Sequence, residues 1–212
     1  SRLCISMYDI RNIWYNMKKY IKVYDNVISE DICNNIIQKF EVNKDQYVES
    51  NLENHRYFTE ININHHEDWS NIVKGLYTTL RPYVDRYKQE CKIKEMQWPL
   101  KYGFEQIRLK RYLPNDRDEF KEHVDVGDYN SARRFLVMFL YLNNNFDGRT
   151  SFSEYDMQVY PKPGRLLMFP PTWTYLHAGH KPKLEPKYII GSYLHYIEDD
   201  TTRRLNEDYY NN

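Results

Sequence analysis

A jelly roll of β-strands braced by N-terminal helices, mainly β with some α (α+β), is what three observations predict. A long amphipathic helical period runs from Glu67 to about Lys92, short strands cluster after Pro99, and Pro- and Gly-marked turns separate them. Closely spaced short strands in one half of a chain close into a sandwich or barrel. With 212 residues and 41% hydrophobic content, the chain can bury one sizeable core. We therefore expect residues 1–212 to form a single domain, with 1–100 as a helical support region and 101–198 as the β core.

Each element has its own signal. Residues 1–20 mix aromatic and basic side chains without period and predict nothing definite. Ile21 to Val27 alternates weakly, as a strand does. Ser29 followed by Glu30 and Asp31 starts a helix, because its hydroxyl caps free N–H groups and the carboxylates favour the positive dipole end. That helix is expected to reach about Phe40, with Ile32, Ile36 and Phe40 on one face. Residues 42–66 read as polar and irregular, a candidate closing loop longer than most connections. Trp69, Ile72, Val73, Leu76, Leu80, Tyr83, Val84 and Tyr87 form the apolar stripe of the long helix, which most simply packs on a sheet.

Beyond Pro99, Phe104–Leu113 alternates, with Ile107, Leu109, Arg111 and Leu113 sharing a face. Arg134–Leu142 is a nearly continuous apolar run, which suits a strand covered on both faces. Asp147-Gly148 marks a turn, and Met157–Tyr160, Arg165–Phe169 and Lys187–Ile197 are further strands.

Composition narrows the function. Lys plus Arg and Asp plus Glu both number 30, so there is no basic excess of the kind a dedicated nucleic-acid binder uses. No apolar run approaches the ~20 residues that span a bilayer, and no secretory leader is evident. Cys4, Cys33 and Cys91 are too sparse for a disulfide framework or a thiolate zinc site, and point to a reducing, cytoplasmic setting. The 21 Tyr, beside many Asn, Lys and Ile, suit an AT-rich coding bias (phage, virus or low-GC bacterium), so the setting could equally be a host cytoplasm. No membrane partner is expected, and the oligomeric state is left open, a monomer being plausible.

Among the 7 histidines, three positions stand out by arrangement. His123 and Asp125 form an HVD motif whose side chains would share one face of a strand, and His177 follows much later. Two imidazoles and a carboxylate with open positions suit non-haem Fe(II). His180, three residues after His177, is the competing ligand; His65-His66 reads as surface loop.

Context sharpens the motif. His177 sits in FPPTWTYLHAGHKP, and Lys187 opens the strand KYIIGSYLHY ten residues later. With HVD, RFLVMFLYLN, the GRT turn and VYPKPGRLLMFP in this order, residues 103–197 resemble the Fe(II)/2-oxoglutarate-dependent dioxygenases, particularly the prolyl 4-hydroxylase-like branch. The resemblance implies a double-stranded β-helix with His123, Asp125 and His177 as iron ligands. It implies that Lys187, Tyr141 and Tyr112 bind 2-oxoglutarate, with Thr150 in the neighbouring turn, where Asp147 replaces the family's first Gly. Arg134, His195 and Tyr193 would line the peptide site, Tyr193 standing where a Trp is usual. The implied reaction consumes O2 and 2-oxoglutarate, with ascorbate as reductant, and hydroxylates a peptidyl proline. Three alternatives stay open: a free amino acid or small molecule as substrate, a nucleobase, and a metal-binding jelly-roll module without turnover. Arg134 reads equally well as a strand-start salt bridge and His195 as a packed strand residue.

Overall fold

The computed structural model describes residues 17–198. Lys22–Tyr24 forms β1 on one edge of the sheet, the part of the Ile21–Val27 alternation that finds a partner. Helix α1 (Glu30–Val42) starts where the cap predicts: Ser29 is extended and its hydroxyl accepts from the Ile32 amide at 3.3 Å. Its buried face is Cys33, Ile36 and Phe40; Ile32, expected on that face, is 47% exposed. The seam follows the three- and four-residue steps from Cys33, and Ile32 lies about a hundred degrees off it.

Residues 42–66 are where the structure departs most from expectation. They contain a β-hairpin, β2 (Val48–Leu52) and β3 (Arg56–Asn62), turning through Asn54 at φ 58°. β2 is an edge strand with both faces largely exposed, so it has no apolar alternation to read. Helix α2 (Ser70–Glu90) buries Leu76, Leu80, Val84 and Tyr87, in agreement with its stripe. The first hundred residues are thus more than helical support: β1, β2 and β3 all belong to the sheet.

The remaining strands are β4 (Tyr102–Phe104), β5 (Arg108–Tyr112), β6 (Glu119–His123), β7 (Arg134–Tyr141), β8 (Thr150–Phe152), β9 (Met157–Val159), β10 (Arg165–Phe169), β11 (His177–Gly179) and β12 (Lys187–Tyr196). The continuous strand expected over Phe104–Leu113 is broken between β4 and β5, where the Glu105 amide bonds to the Tyr193 carbonyl. All pairings are antiparallel, in the order β1-β10-β7-β12-β5-β3-β6-β11-β8-β9. β10, β7, β12 and β5 make one wall and β6, β11, β8 and β9 the other. β3 joins them, pairing with β5 through Thr59–Asn62 and with β6 through Arg56 and Tyr57. This is a jelly roll, the double-stranded β-helix.

Alternation along β7 shows why its run is apolar on both faces. Leu136, Met138 and Leu140 pack with α1 and α2, while Val137 and Tyr141 pack inside with Phe152, Val159 and Phe169. Both cores are aliphatic and aromatic, and each buried side chain of this size contributes about 1.5–3 kcal/mol. Arg111 on β5 faces the helices and pairs with Glu41 of α1 at 3.0 Å. Its strand neighbours Lys110 and Tyr112 consequently face the barrel interior. Cys33 and Cys91 are buried free thiols, and Cys4 lies outside the described residues. No helix among the described residues is long and apolar enough to cross a membrane.

Candidate metal centre and its cavity

The two candidate histidines are cross-strand partners: His177 on β11 pairs with His123 at the end of β6. Their ring centroids lie 4.3 Å apart. Asp125 is not on the strand that the HVD reading supposed, because β6 ends at His123. Asp125 is held instead by its backbone, whose amide donates to the Pro171 carbonyl at 3.1 Å. The carboxylate still reaches both rings, 3.8 Å from His123 Nε2 and 3.4 Å from His177 Nε2.

Hydrogen bonds on the far sides of the rings orient them. His123 Nδ1 lies 2.6 Å from the Lys121 carbonyl and His177 Nδ1 3.0 Å from the Tyr175 carbonyl. A carbonyl only accepts, so both Nδ1 atoms carry hydrogen, and in the neutral rings that a metal requires each Nε2 keeps a lone pair. Burial, reinforced by the neighbouring His177 ring, pushes His123 down to about 3, so it is neutral at any ordinary pH. The Phe120 ring stacks on it with centroids 3.4 Å apart.

Three acceptors therefore converge with no donor between them. His123 Nε2, His177 Nε2 and Asp125 Oδ2 are buried and have no hydrogen-bond partner. All three lie within 4.8 Å of one another. An arrangement of lone pairs alone is costly unless a cation completes it. Two imidazoles and one carboxylate form the donor set that suits Fe(II) with open positions. Fe(II) fits these residues. His180 is turned elsewhere, its Nε2 2.7 Å from the Ser151 hydroxyl, so it takes no part.

A narrow cavity runs from the triad into the barrel, lined by Tyr112, Phe139, Thr150, Lys187 and Ile189 among others. Its lining sets the Lys187 ammonium among apolar walls, which suits a small anionic co-substrate. Lys187 faces Tyr112 across the β12–β5 pair, its ammonium 4.3 Å from that ring's centre. It is 2% exposed, and no carboxylate lies within ion-pair distance of it among the described residues. Burial, with Lys110 nearby, pushes its pKa down to about 7. Tyr141 stands behind the cavity wall, its hydroxyl 2.5 Å from that of Thr150, which does line the cavity. Burial raises both the Tyr112 and Tyr141 phenols.

The three residues expected to line a peptide site are placed together around Glu105. Arg134 donates to its carboxylate through Nε at 3.0 Å and Nη2 at 3.0 Å, and to the Asp125 carbonyl at 3.2 Å. Its guanidinium stacks 4.0 Å over Tyr193. The Tyr193 hydroxyl donates to Asp125 Oδ1 at 2.8 Å. His195 Nδ1 lies 3.5 Å from Glu105. Arg134 and Tyr193 line a groove outside the triad; His195 stands behind Glu105 and lines neither groove nor cavity. Tyr193 thus orients the carboxylate of the triad, a contact that spacing alone does not reveal.

Residues 107–195 match the family model described as the 2OG-Fe(II) oxygenase superfamily. No curated protein matches the chain by sequence. Among solved structures, it is similar to the viral collagen prolyl hydroxylase of Paramecium bursaria Chlorella virus-1 in its 2OG complex, at 18% identity and TM-score 0.61. That match covers 84% of this chain and 97% of the other. A Trichoplax adhaerens prolyl hydroxylase bound to a hypoxia inducible factor peptide fragment aligns at 16% identity and TM-score 0.65, covering 95% and 97%. A Pseudomonas putida prolyl-4-hydroxylase aligns at 12% and 0.59, covering 84% and 94%. At these identities the likeness is one of fold.

Proposed function

We propose that this chain, a 2-oxoglutarate-dependent Fe(II) dioxygenase by its oxygenase domain at residues 107–195, hydroxylates a prolyl residue of a peptide. The observation that carries the co-substrate assignment is the buried Lys187 ammonium, without an anionic partner among the described residues, in a cavity shared with three orphaned acceptors. His123, Asp125 and His177 would hold the iron. When bound, Fe(II) would supply the activation of O2 that couples oxidative decarboxylation of 2-oxoglutarate to succinate and carbon dioxide with hydroxylation of a substrate C–H bond, one oxygen atom going to succinate and one to the new hydroxyl.

The protein's own side chains account for the rest. Lys187 would pair with the distal carboxylate of 2-oxoglutarate, which would relieve the cost of burying its charge. The Tyr112 ring supports the ammonium, and the Thr150 hydroxyl, held by Tyr141, offers a further polar contact at the cavity wall. Phe139 and Ile189 give the cavity apolar walls, whose low polarity strengthens charge interactions inside it. Tyr193 and Arg134 hold Asp125 from its other oxygen and its carbonyl, so that Oδ2 stays directed at the two imidazoles.

The peptide reading is supported by the polar groove that crosses the cavity mouth between β3 and the 124–134 segment. Its lining runs from Ser50 and Arg56 to Ser131 and Arg134, and a polyproline-like peptide would lie there at low entropic cost. The test is mass spectrometry of proline-containing peptides incubated with Fe(II), 2-oxoglutarate and ascorbate. The expected result is a gain of one oxygen on proline with matched succinate release. Oxidation of only a free amino acid or nucleobase removes the peptide reading and leaves the dioxygenase standing.

A further inference from the structure

The inward face of β5 carries Arg108, Lys110 and Tyr112 at alternate positions, opposite Gly191, Ile189 and Lys187 of β12. Basic side chains therefore step outward from Lys187 at the inner end, through Lys110, to Arg108 in the outer groove. Lys110 is the one that lines both spaces. Its natural partner would be Glu60, directly opposite on β3. Glu60 is already engaged, however, by Arg108 at 3.0 Å. Lys110 is left over the face of Phe58, 4.8 Å from the ring centre, with no carboxylate in ion-pair reach among the described residues.

Arg56 lines the same groove from the start of β3. Its guanidinium lies over Phe120 at 5.7 Å, and its Nε is buried without a hydrogen-bond partner. A buried, unsatisfied guanidinium nitrogen is costly in a finished site and expected in one that awaits an acceptor. The groove's acidic side chains do not answer these two cations. Glu60 holds Arg108, Asp125 belongs to the triad, and Asp128 accepts from Ser131. Arg134, the basic residue the sequence nominated for substrate, is bound to Glu105.

We propose that Lys110 and Arg56 form an anion subsite at the cavity mouth, which selects peptides carrying an Asp or Glu beside the residue to be hydroxylated. The inference rests on the peptide reading above and specifies its substrate class. A nucleic acid is disfavoured because its backbone needs many phosphate contacts. The chain has zero net charge, and carboxylates of Glu60, Asp125 and Asp128 share the groove.

The experiment uses matched labelled proline peptides with Glu or Gln flanking the proline. Their binding is followed by fluorescence anisotropy on protein loaded with Mn(II) and 2-oxoglutarate without oxygen, and their oxidation by mass spectrometry. Wild type should bind the Glu peptide about tenfold more tightly, the worth of one charge-assisted hydrogen bond, and high salt should shrink that ratio. Lys110→Met, which keeps the aliphatic stem, and Arg56→Gln should each compress it towards one. Equal binding of the two peptides with both oxidised overturns the subsite and leaves the peptide reading intact. So does a Lys110→Met protein that keeps the full preference while losing 2-oxoglutarate affinity, since the lysine would then serve the co-substrate. Displacement of the Glu peptide by a short oligonucleotide assigns the groove to phosphates and also overturns it. If neither peptide binds or is oxidised, the peptide reading itself fails.

Discussion

Replacing Lys187 by Met should make the protein free of metal and 2-oxoglutarate more stable while removing its response to 2-oxoglutarate. Lys187 is 2% exposed, and burial pushes its pKa from 10.5 down to about 7. At about 1.4 kcal/mol per pH unit, that difference corresponds to about 5 kcal/mol of unfavourable burial for the charged form. The Tyr112 ring beneath the ammonium returns about 0.5–2 kcal/mol, too little to cancel it. Methionine fills similar volume without the charge. Even half the cost, at about 2–4 °C per kcal/mol for a chain of this size, raises Tm by about 5–10 °C.

The pH dependence has a definite sign. Below pH 7 the lysine is protonated in both the folded and unfolded states, and the whole cost is present. Between about 7 and 10.5 the unfolded chain holds the proton and the folded one releases it, so wild-type stability rises with pH. The advantage of Lys187→Met should therefore be greatest below pH 7 and shrink towards pH 10. Scanning fluorimetry in anion-poor buffer across that range measures it. With Mn(II) present, added 2-oxoglutarate should raise the wild-type Tm by the usual mass-action term and leave the variant's unmoved. A variant less stable than wild type at pH 6 would refute the reasoning, because it would mean that Lys187 already has an anionic or solvent partner.

Three other outcomes follow from the same contacts. Tyr193→Phe removes the hydroxyl bonded to Asp125 Oδ1 and should weaken divalent-metal affinity about 10–100-fold, read by competition with a chromogenic chelator; unchanged affinity would return Tyr193 to a substrate role. His177→Ala should abolish metal binding and His180→Ala should spare it, since His180 Nε2 is bonded to Ser151; calorimetric titration with Mn(II) showing the reverse would undo the triad. Gly148→Ala should lower 2-oxoglutarate affinity with metal affinity retained, because its new methyl would lie 2.9 Å from Lys187 Cδ and 2.6 Å from Asn145 Oδ1; equal affinities by tryptophan quenching would show that the turn yields freely.

Much of this molecule was legible in local pattern. The Ser29 cap and the stripe from Trp69 to Tyr87 placed both helices, because cap chemistry and a 3.6-residue period are properties of neighbouring residues. The unbroken apolar run of β7 announced a strand covered on both faces, and the structure puts helices over one face and the barrel interior over the other. The donor types at His123, Asp125 and His177, with Lys187 ten residues on, likewise need only the order of residues.

Other features depended on partners far away in the chain. The hairpin at 48–62 has no apolar signature on its edge strand, and its existence follows from β3 pairing with β5 and β6. Asp125 reaches the triad from a loop pinned at Pro171, not from the strand its spacing suggested. Whether a charged side chain is free is likewise decided by competition in three dimensions. Arg134 lost that freedom to Glu105, whereas Lys110 kept it because Arg108 took Glu60. By itself the sequence determined which residue types could bind a metal and an anion, since periodicity and chemistry are local. Only the tertiary structure decided which of them remain unpaired at the cavity, because hydrogen-bond and charge satisfaction is set by whichever neighbour the strand register brings closest.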